Sequence, residues 1–231
     1  MVYNKDKIES ILKVKFNSEE LLKTAYTHRS YLNEHRKSQL EHNERLEFLG
    51  DAVLELVVTD YLYNNYKNPE GELTAWRSSL VKTESLAELA EKLNLGQFLL
   101  MSRGEAKTGG RTRQALLANL VEATIGAIYL DKGYDSAKKF IEANIVIKLD
   151  DIIKTGAYID AKSQFQEIAQ ERHGVTPIYK VLDESGPDHD KIFTMGVYLG
   201  SKQYGKGEGA SKQAAQQSAA LAGLSKLEKS K

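Results

Sequence analysis

The chain has no cysteine among its 231 residues. That excludes disulfides, thiolate zinc centres and thiol nucleophiles, and it suits a reducing compartment such as the cytoplasm. Nor is there an excess of charge: Lys and Arg total 32, and Asp and Glu total 32. No global basic field draws the chain onto a polyanion, so any nucleic-acid footprint is local. No uncharged apolar run reaches the roughly 18 residues of a membrane-spanning helix. Between Met1 and Phe16, residues Lys5, Asp6, Lys7, Glu9, Lys13 and Lys15 break up any apolar run, so no signal peptide is expected. Internal repeats and low-complexity tracts are also missing. What is present is 41% hydrophobic and 28% charged residues, an ordinary globular balance that argues against long disorder. The length suits one large domain or two modest ones.

The texture divides the chain near residues 150 to 159. Up to that point the pattern predicts helix after helix, with no strand-like alternation. Asn17 or Ser18 is a plausible N-cap before Leu21, Leu22 and Ala25. A long helix is expected over His42–Tyr63, and an amphipathic one over Thr83–Leu93. Met101–Gln114 reads as a polar loop with Gly104, Gly109 and Gly110. Ala115–Leu130 is almost wholly apolar, and Tyr134–Leu149 reads as one further helix. Beyond the boundary a helix over Asp160–Arg172 precedes three short strands, Ile178–Leu182, Ile192–Leu199 and Gln203–Gly207. Glu184-Ser185-Gly186-Pro187 is the first turn between them, and Ser211–Leu227 is a closing Ala-rich helix. The expected architecture is multidomain: an all-α domain over 1–152, then a small α+β domain (α-β-β-β-α) over 158–231.

The most informative segment is Asn43-Glu44-Arg45-Leu46-Glu47-Phe48-Leu49-Gly50-Asp51-Ala52-Val53-Leu54. Glu44, Glu47, Asp51 and Glu55 recur at i, i+3, i+7 and i+11, so a helix gathers them into one stripe. Like charges at this spacing repel. Either the stripe is the solvated face of an amphipathic helix, or it binds a divalent cation. Gly50 favours the second reading: Gly inside a helix costs about 1 kcal/mol against Ala, which makes sense where another element packs closely. The candidate neighbour is the helix containing Asn119 and Glu122, apolar on every side and therefore central. A buried carboxylate there needs either a hydrogen-bonded structural role or a metal. Two internal helices presenting acids together offer an oxygen-only site suited to magnesium.

These residues resemble the signature of the ribonuclease III family. Supporting matches lie at Thr27-His28-Arg29-Ser30, at Gly71-Glu72-Leu73 with Arg77 and Leu80-Val81, and over Glu122–Asp131. The second domain resembles the family's double-stranded-RNA-binding domain. The resemblance implies a homodimeric, magnesium-dependent endoribonuclease, with manganese as a possible substitute. Its hydrolysis of double-stranded RNA would leave 5′-phosphate and 3′-hydroxyl ends, in processing of precursor ribosomal RNA and other transcripts. It places the metal on Glu47, Asp51, Asn119 and Glu122, with Asp51 and Glu122 catalytic and Glu44 supporting from the edge. The family's usual residue at Asn119 is Asp, so this chain offers three carboxylates and an amide. His28 reads as a structural residue rather than a base. Phe48 is implied to insert into the partner, the alternative being a core Phe.

In the small domain the resemblance implies three RNA contact regions. Ser163, Gln166, Glu167 and Gln170 share a helix face suited to 2′-hydroxyls and base edges of the shallow minor groove, although ordinary helix surface would look the same. His189 leads the loop Gly186–Lys191, and Lys191 ends it. Lys212 opens the last helix as a phosphate contact. Gln213 replaces a lysine usual in the family, with Lys206 as a candidate substitute. The rival reading is a double-stranded-RNA-binding protein that does not cleave, which Asn119 and Gln213 favour and the retained acids disfavour.

Overall fold

The computed structural model describes residues 3–156, 158, 160–187 and 191–228, and its backbone falls into two units, Met1–Tyr158 and Ile159–Lys231. In the first unit, side chains that take up free N–H groups set the early helix starts. Asn4 accepts from the Lys7 amide at 3.0 Å and opens α1 (Lys5–Leu12). Ser18 accepts from Leu21 at 3.2 Å and opens α2 (Glu19–Ala25). Of the two candidate caps, Ser18 is therefore the one used. Asn17 instead anchors the C-terminal end of a later helix, donating its amide to Asp131 and accepting from Lys132.

The chain continues through α3 (Arg29–Glu34), α4 (Glu44–Asn65), α5 (Glu70–Val81), α6 (Thr83–Lys92), α7 (Arg103–Lys107), α8 (Gln114–Lys132), α9 (Tyr134–Asn144) and α10 (Leu149–Thr155). The core centres on α4 and α8. Leu54, Val57 and Val58 of α4 and Leu120, Val121, Ala123 and Ile125 of α8 are fully buried in the same core. The closeness of these two helices depends on two glycines. A Cβ on Gly50 would lie 1.8 Å from the Glu122 carbonyl oxygen, and one on Gly126 would lie 2.3 Å from the Leu46 carbonyl oxygen. Backbone therefore meets backbone, as expected for Gly50.

Two expectations need correcting. The helix expected over Tyr134–Leu149 ends at Asn144; Ile145 (φ −113°, ψ −57°) leaves helical geometry and a 3₁₀ turn at Val146–Lys148 leads into α10. The Met101–Gln114 loop contains α7 and a 3₁₀ turn at Gly110–Thr112, with Ser102 capping α7 through the Glu105 amide at 3.1 Å. Helix α5 lies within the region read as helix after helix, although the sequence pattern assigns no bounds to it. It buries Trp76 and Leu80, and Trp76 packs edge-on against Tyr66 and Tyr158 with centroids 5.1 and 5.9 Å apart.

The second unit runs α11 (Ala161–His173), β1 (Ile178–Ser185), β2 (Ile192–Leu199), β3 (Lys202–Gly209) and α12 (Lys212–Glu228), with an antiparallel sheet ordered β1-β2-β3. Phe165 and Ala169 of α11, Met195 and Val197 of β2, and Ala215, Ala219 and Ala220 of α12 form its core. The α-β-β-β-α architecture is as expected, but β1 runs three residues further. Its register with β2 shifts between Val181 and Asp183, and beyond that bulge Glu184 pairs with Phe193 and Ser185 with Ile192. The bulge keeps residues read as turn inside the strand.

Candidate active site and nucleic-acid interface

The N-terminal end of α4 is fixed from outside the helix. Asn43, nearly fully buried, donates its amide to Thr27 O at 2.9 Å and its side chain to Ala25 O at 3.3 Å. Thr27 bridges Leu100, and His28 N donates to Leu100 O at 2.9 Å. His28 itself is a helix cap. Its Nδ1 accepts from the Ser30 amide at 3.3 Å and lies 2.8 Å from the Ser30 hydroxyl, and burial pulls its pKa down. That geometry suits the structural reading.

From this fixed start, α4 presents Glu47 and Asp51 towards Asn119 and Glu122 of α8. The Asn119 side chain hydrogen-bonds Glu47, which links the two helices. Burial raises the Glu47 pKa, Glu44 and Asp51 push it further, and the Asn119 bond opposes them. Glu122 is half-buried, and its pKa is pushed up to about 7, chiefly by burial and then by the negative charges of Asp51 and Glu47. Glu44 sits at the edge, held by Arg29 at 3.3 Å and facing His42 at 3.7 Å. Glu55, the last acid of the stripe, is drawn away by Arg77 at 3.0 Å. The structure thus brings Glu47, Asp51, Asn119 and Glu122 together, with Glu44 beside them. Among the described residues, no three His, Cys, Asp or Glu side chains are gathered tightly enough to hold a metal ion as they stand. Desolvated, mutually repelling carboxylates with an amide oxygen are nevertheless the donor set a hard divalent cation takes.

Phe48 is 81% exposed, so the core alternative is excluded. It borders a cavity of about 880 Å³ lined also by Leu21, His42, Arg45, Leu49 and Leu130. Sequence reasoning missed Gly126. Its signal is a second glycine, four residues beyond Glu122 in an apolar helix.

In the second unit, Ser163, Gln166, Glu167 and Gln170 all lie exposed on α11, opposite buried Phe165 and Ala169. Ser163 is engaged with Asp160, its hydroxyl donating at 2.7 Å, and Gln170 donates to Thr176 Oγ1 at 3.3 Å. His189 lies outside the described residues. Lys191 and Lys212 both reach Glu184, at 3.3 and 3.1 Å.

A ribonuclease-III-like family model matches residues 18–149, and the double-stranded RNA binding motif matches residues 161–227. The chain is similar to Ribonuclease 3 of Lactococcus lactis subsp. cremoris, 45% identical over 223 residues and 95% of each chain. It is also similar to Ribonuclease 3 of Listeria monocytogenes, 47% identical over 92% of this chain and 93% of that one. Among solved structures, the nuclease domain of ribonuclease III from Campylobacter jejuni matches at 42% identity with a TM-score of 0.56, covering 62% of this chain and 99% of that one. That structure is described for flexibility in its region involved in dimer formation.

Proposed function

The chain belongs to the ribonuclease III family, and from that premise we propose how it works as an endoribonuclease of double-stranded RNA. The carrying observation is the meeting of Glu47, Asp51, Asn119 and Glu122 across α4 and α8, where desolvation and repulsion leave Glu122 with a pKa of about 7. Magnesium is the cation this oxygen-only set fits best, with manganese as a substitute. Bound there, it would acidify a water and offset charge on the scissile phosphate. Glu47, Asp51, Asn119 and Glu122 would hold it, Glu44 would add negative charge from the edge, and the Gly50–Gly126 contact would keep the two helices close. Incubation with long duplex RNA, with magnesium or with chelator, tests the reading. Cleavage to 5′-phosphate and 3′-hydroxyl ends only with the metal is the expected result; binding without cleavage in either condition would favour the non-cleaving rival.

Two active sites, one per strand, follow if two copies associate. Exposed Phe48 beside a cavity of about 880 Å³ supports a homodimer in which it seats in the partner. Among the described residues no helix is long and apolar enough to cross a membrane, and cytoplasmic processing of precursor ribosomal RNA and other transcripts is the setting the family likeness suggests.

Asn119 yields a prediction. Asn119→Asp adds a charge beside Glu47 and Glu122 and removes the amide donor to Glu47. The expected result is a lower magnesium concentration for half-maximal cleavage, by roughly tenfold for a change worth about 1.4 kcal/mol. An unchanged or higher requirement would remove Asn119 from the ligand set.

The division of labour yields another. A nuclease fragment should end after Tyr158 rather than after residue 152, because α10 continues to Thr155 and Tyr158 packs on Trp76. Lacking the Gln166, His189 and Lys212 regions, it should bind duplex RNA weakly and cut only at low salt, where attraction is least screened. The complementary fragment, residues 159–231, should prefer duplex RNA to duplex DNA, because 2′-hydroxyls and A-form shape are what it reads. Equal affinity for the two duplexes at one salt concentration would overturn that assignment.

A further inference from the structure

Glu184 lies between two of the segments assigned to RNA. It precedes the loop that Lys191 ends, and it pairs in register with Phe193 on β2. One carboxylate oxygen takes the Lys212 ammonium at 3.1 Å and the other takes Lys191 at 3.3 Å. Both ammonium groups also lie over the Phe193 ring, 5.4 and 6.0 Å from its centroid. Glu184 thus bridges two lysines that share an aromatic floor. Lys212 keeps about half of its side chain in solvent, at 56%.

We propose that Glu184 is a positioning residue for duplex RNA binding, tying the end of the loop to the first residue of α12 so that Lys191 and Lys212 meet the phosphates as one preset unit. The proposal rests on the reading that Lys212 contacts RNA. An acid on an RNA-binding surface ordinarily repels the ligand. Here the carboxylate is turned towards the two ammonium groups, while Lys212 keeps about half of its side chain exposed. A free lysine side chain loses rotamer freedom when it binds a phosphate; one already held by Glu184 and Phe193 has less to lose. The lowered Glu184 pKa, caused by Lys212 and Lys191, fits an ionised clamp at neutral pH.

The test is duplex RNA binding by the full chain, in chelator to prevent cleavage, over a series of salt concentrations. Glu184→Gln removes a negative charge, yet the expected result is binding weakened by roughly three- to tenfold, with a log–log salt slope shallower by about one. Glu184→Asp keeps the charge on a shorter arm and should retain more affinity than Gln. It also carries the test if thermal unfolding shows that the Gln variant does not fold. Tighter binding with a steeper slope would make Glu184 a competitor of phosphate, and unchanged binding would make it a bystander; either overturns the proposal. Lys212→Gln separates the two readings: if it leaves affinity and slope intact, the assignment of Lys212 to RNA is what fails.

Discussion

Replacing Glu122 with Ala should abolish cleavage while leaving duplex binding nearly unchanged. The residue lies on α8 facing Glu47 and Asp51, far in sequence from residues 161–227, which match the double-stranded RNA binding motif. Loss of a partner one layer out from a metal typically costs 10- to 100-fold, so loss of a ligand should cost about a hundredfold or more at any magnesium concentration. Near wild-type cutting at saturating metal would refute the site. The same residue links function to stability. Its folded pKa of about 7 stands above its ordinary 4.5. For an acid this means that the folded state holds a proton the unfolded chain has released, so stability falls as pH rises through that window. Each unit is worth about 1.4 kcal/mol; discounted for partial exposure, the cost at pH 8 is about 1–2 kcal/mol. In chelator, Glu122→Gln should therefore stabilise the protein by that amount at pH 8 and hardly at all at pH 4. Urea unfolding at both pH values gives the comparison, and an equal effect at both would mean that Glu122 carries no burial penalty.

Much of this centre was legible in the sequence because its cause is local. The acid spacing, the all-round apolarity of α8 and the cost of a mid-helix glycine each point the same way, and the structure places Gly50 against the Glu122 backbone as that cost implies. What stayed hidden depends on tertiary contacts. Helix α5 carries a weak apolar face and is held through Trp76, whose neighbours Tyr66 and Tyr158 come from elsewhere in the chain. The break at Ile145 has no glycine or proline to announce it. The end of β1 was read as a turn because Glu184-Ser185-Gly186-Pro187 has turn composition; pairing with β2 beyond a bulge overrides that preference. The Glu184 clamp became visible only once those residues were in the strand. Glu55 shows the opposite limit: it has the spacing of the acidic stripe, yet Arg77 from α5 claims it.

Gly50→Ala tests whether the helix contact sets the spacing of the acids. Helix propensity alone predicts a gain of about 1 kcal/mol, since Ala outranks Gly in a helix interior. The added Cβ would instead lie 1.8 Å from the Glu122 carbonyl oxygen and 2.9 Å from the Gly126 amide nitrogen. Both are backbone atoms of a buried helix, so no side chain can swing aside and the helices must separate. Overpacking of this kind costs about 1–3 kcal/mol, and contact with backbone atoms puts it at the upper end, so after the propensity gain the net expectation is a loss of about 2 kcal/mol by urea unfolding. Gly71→Ala is the control: it is also helical, but its added Cβ meets nothing within 4 Å, so the propensity gain should appear there unopposed. Separation of α4 from α8 also moves Glu47 and Asp51 from Glu122, and the folded Gly50→Ala fraction should need more magnesium for half-maximal cleavage. A Gly50→Ala protein as stable as the parent, with the same metal requirement, would show that the backbone contact does not set the geometry of the site.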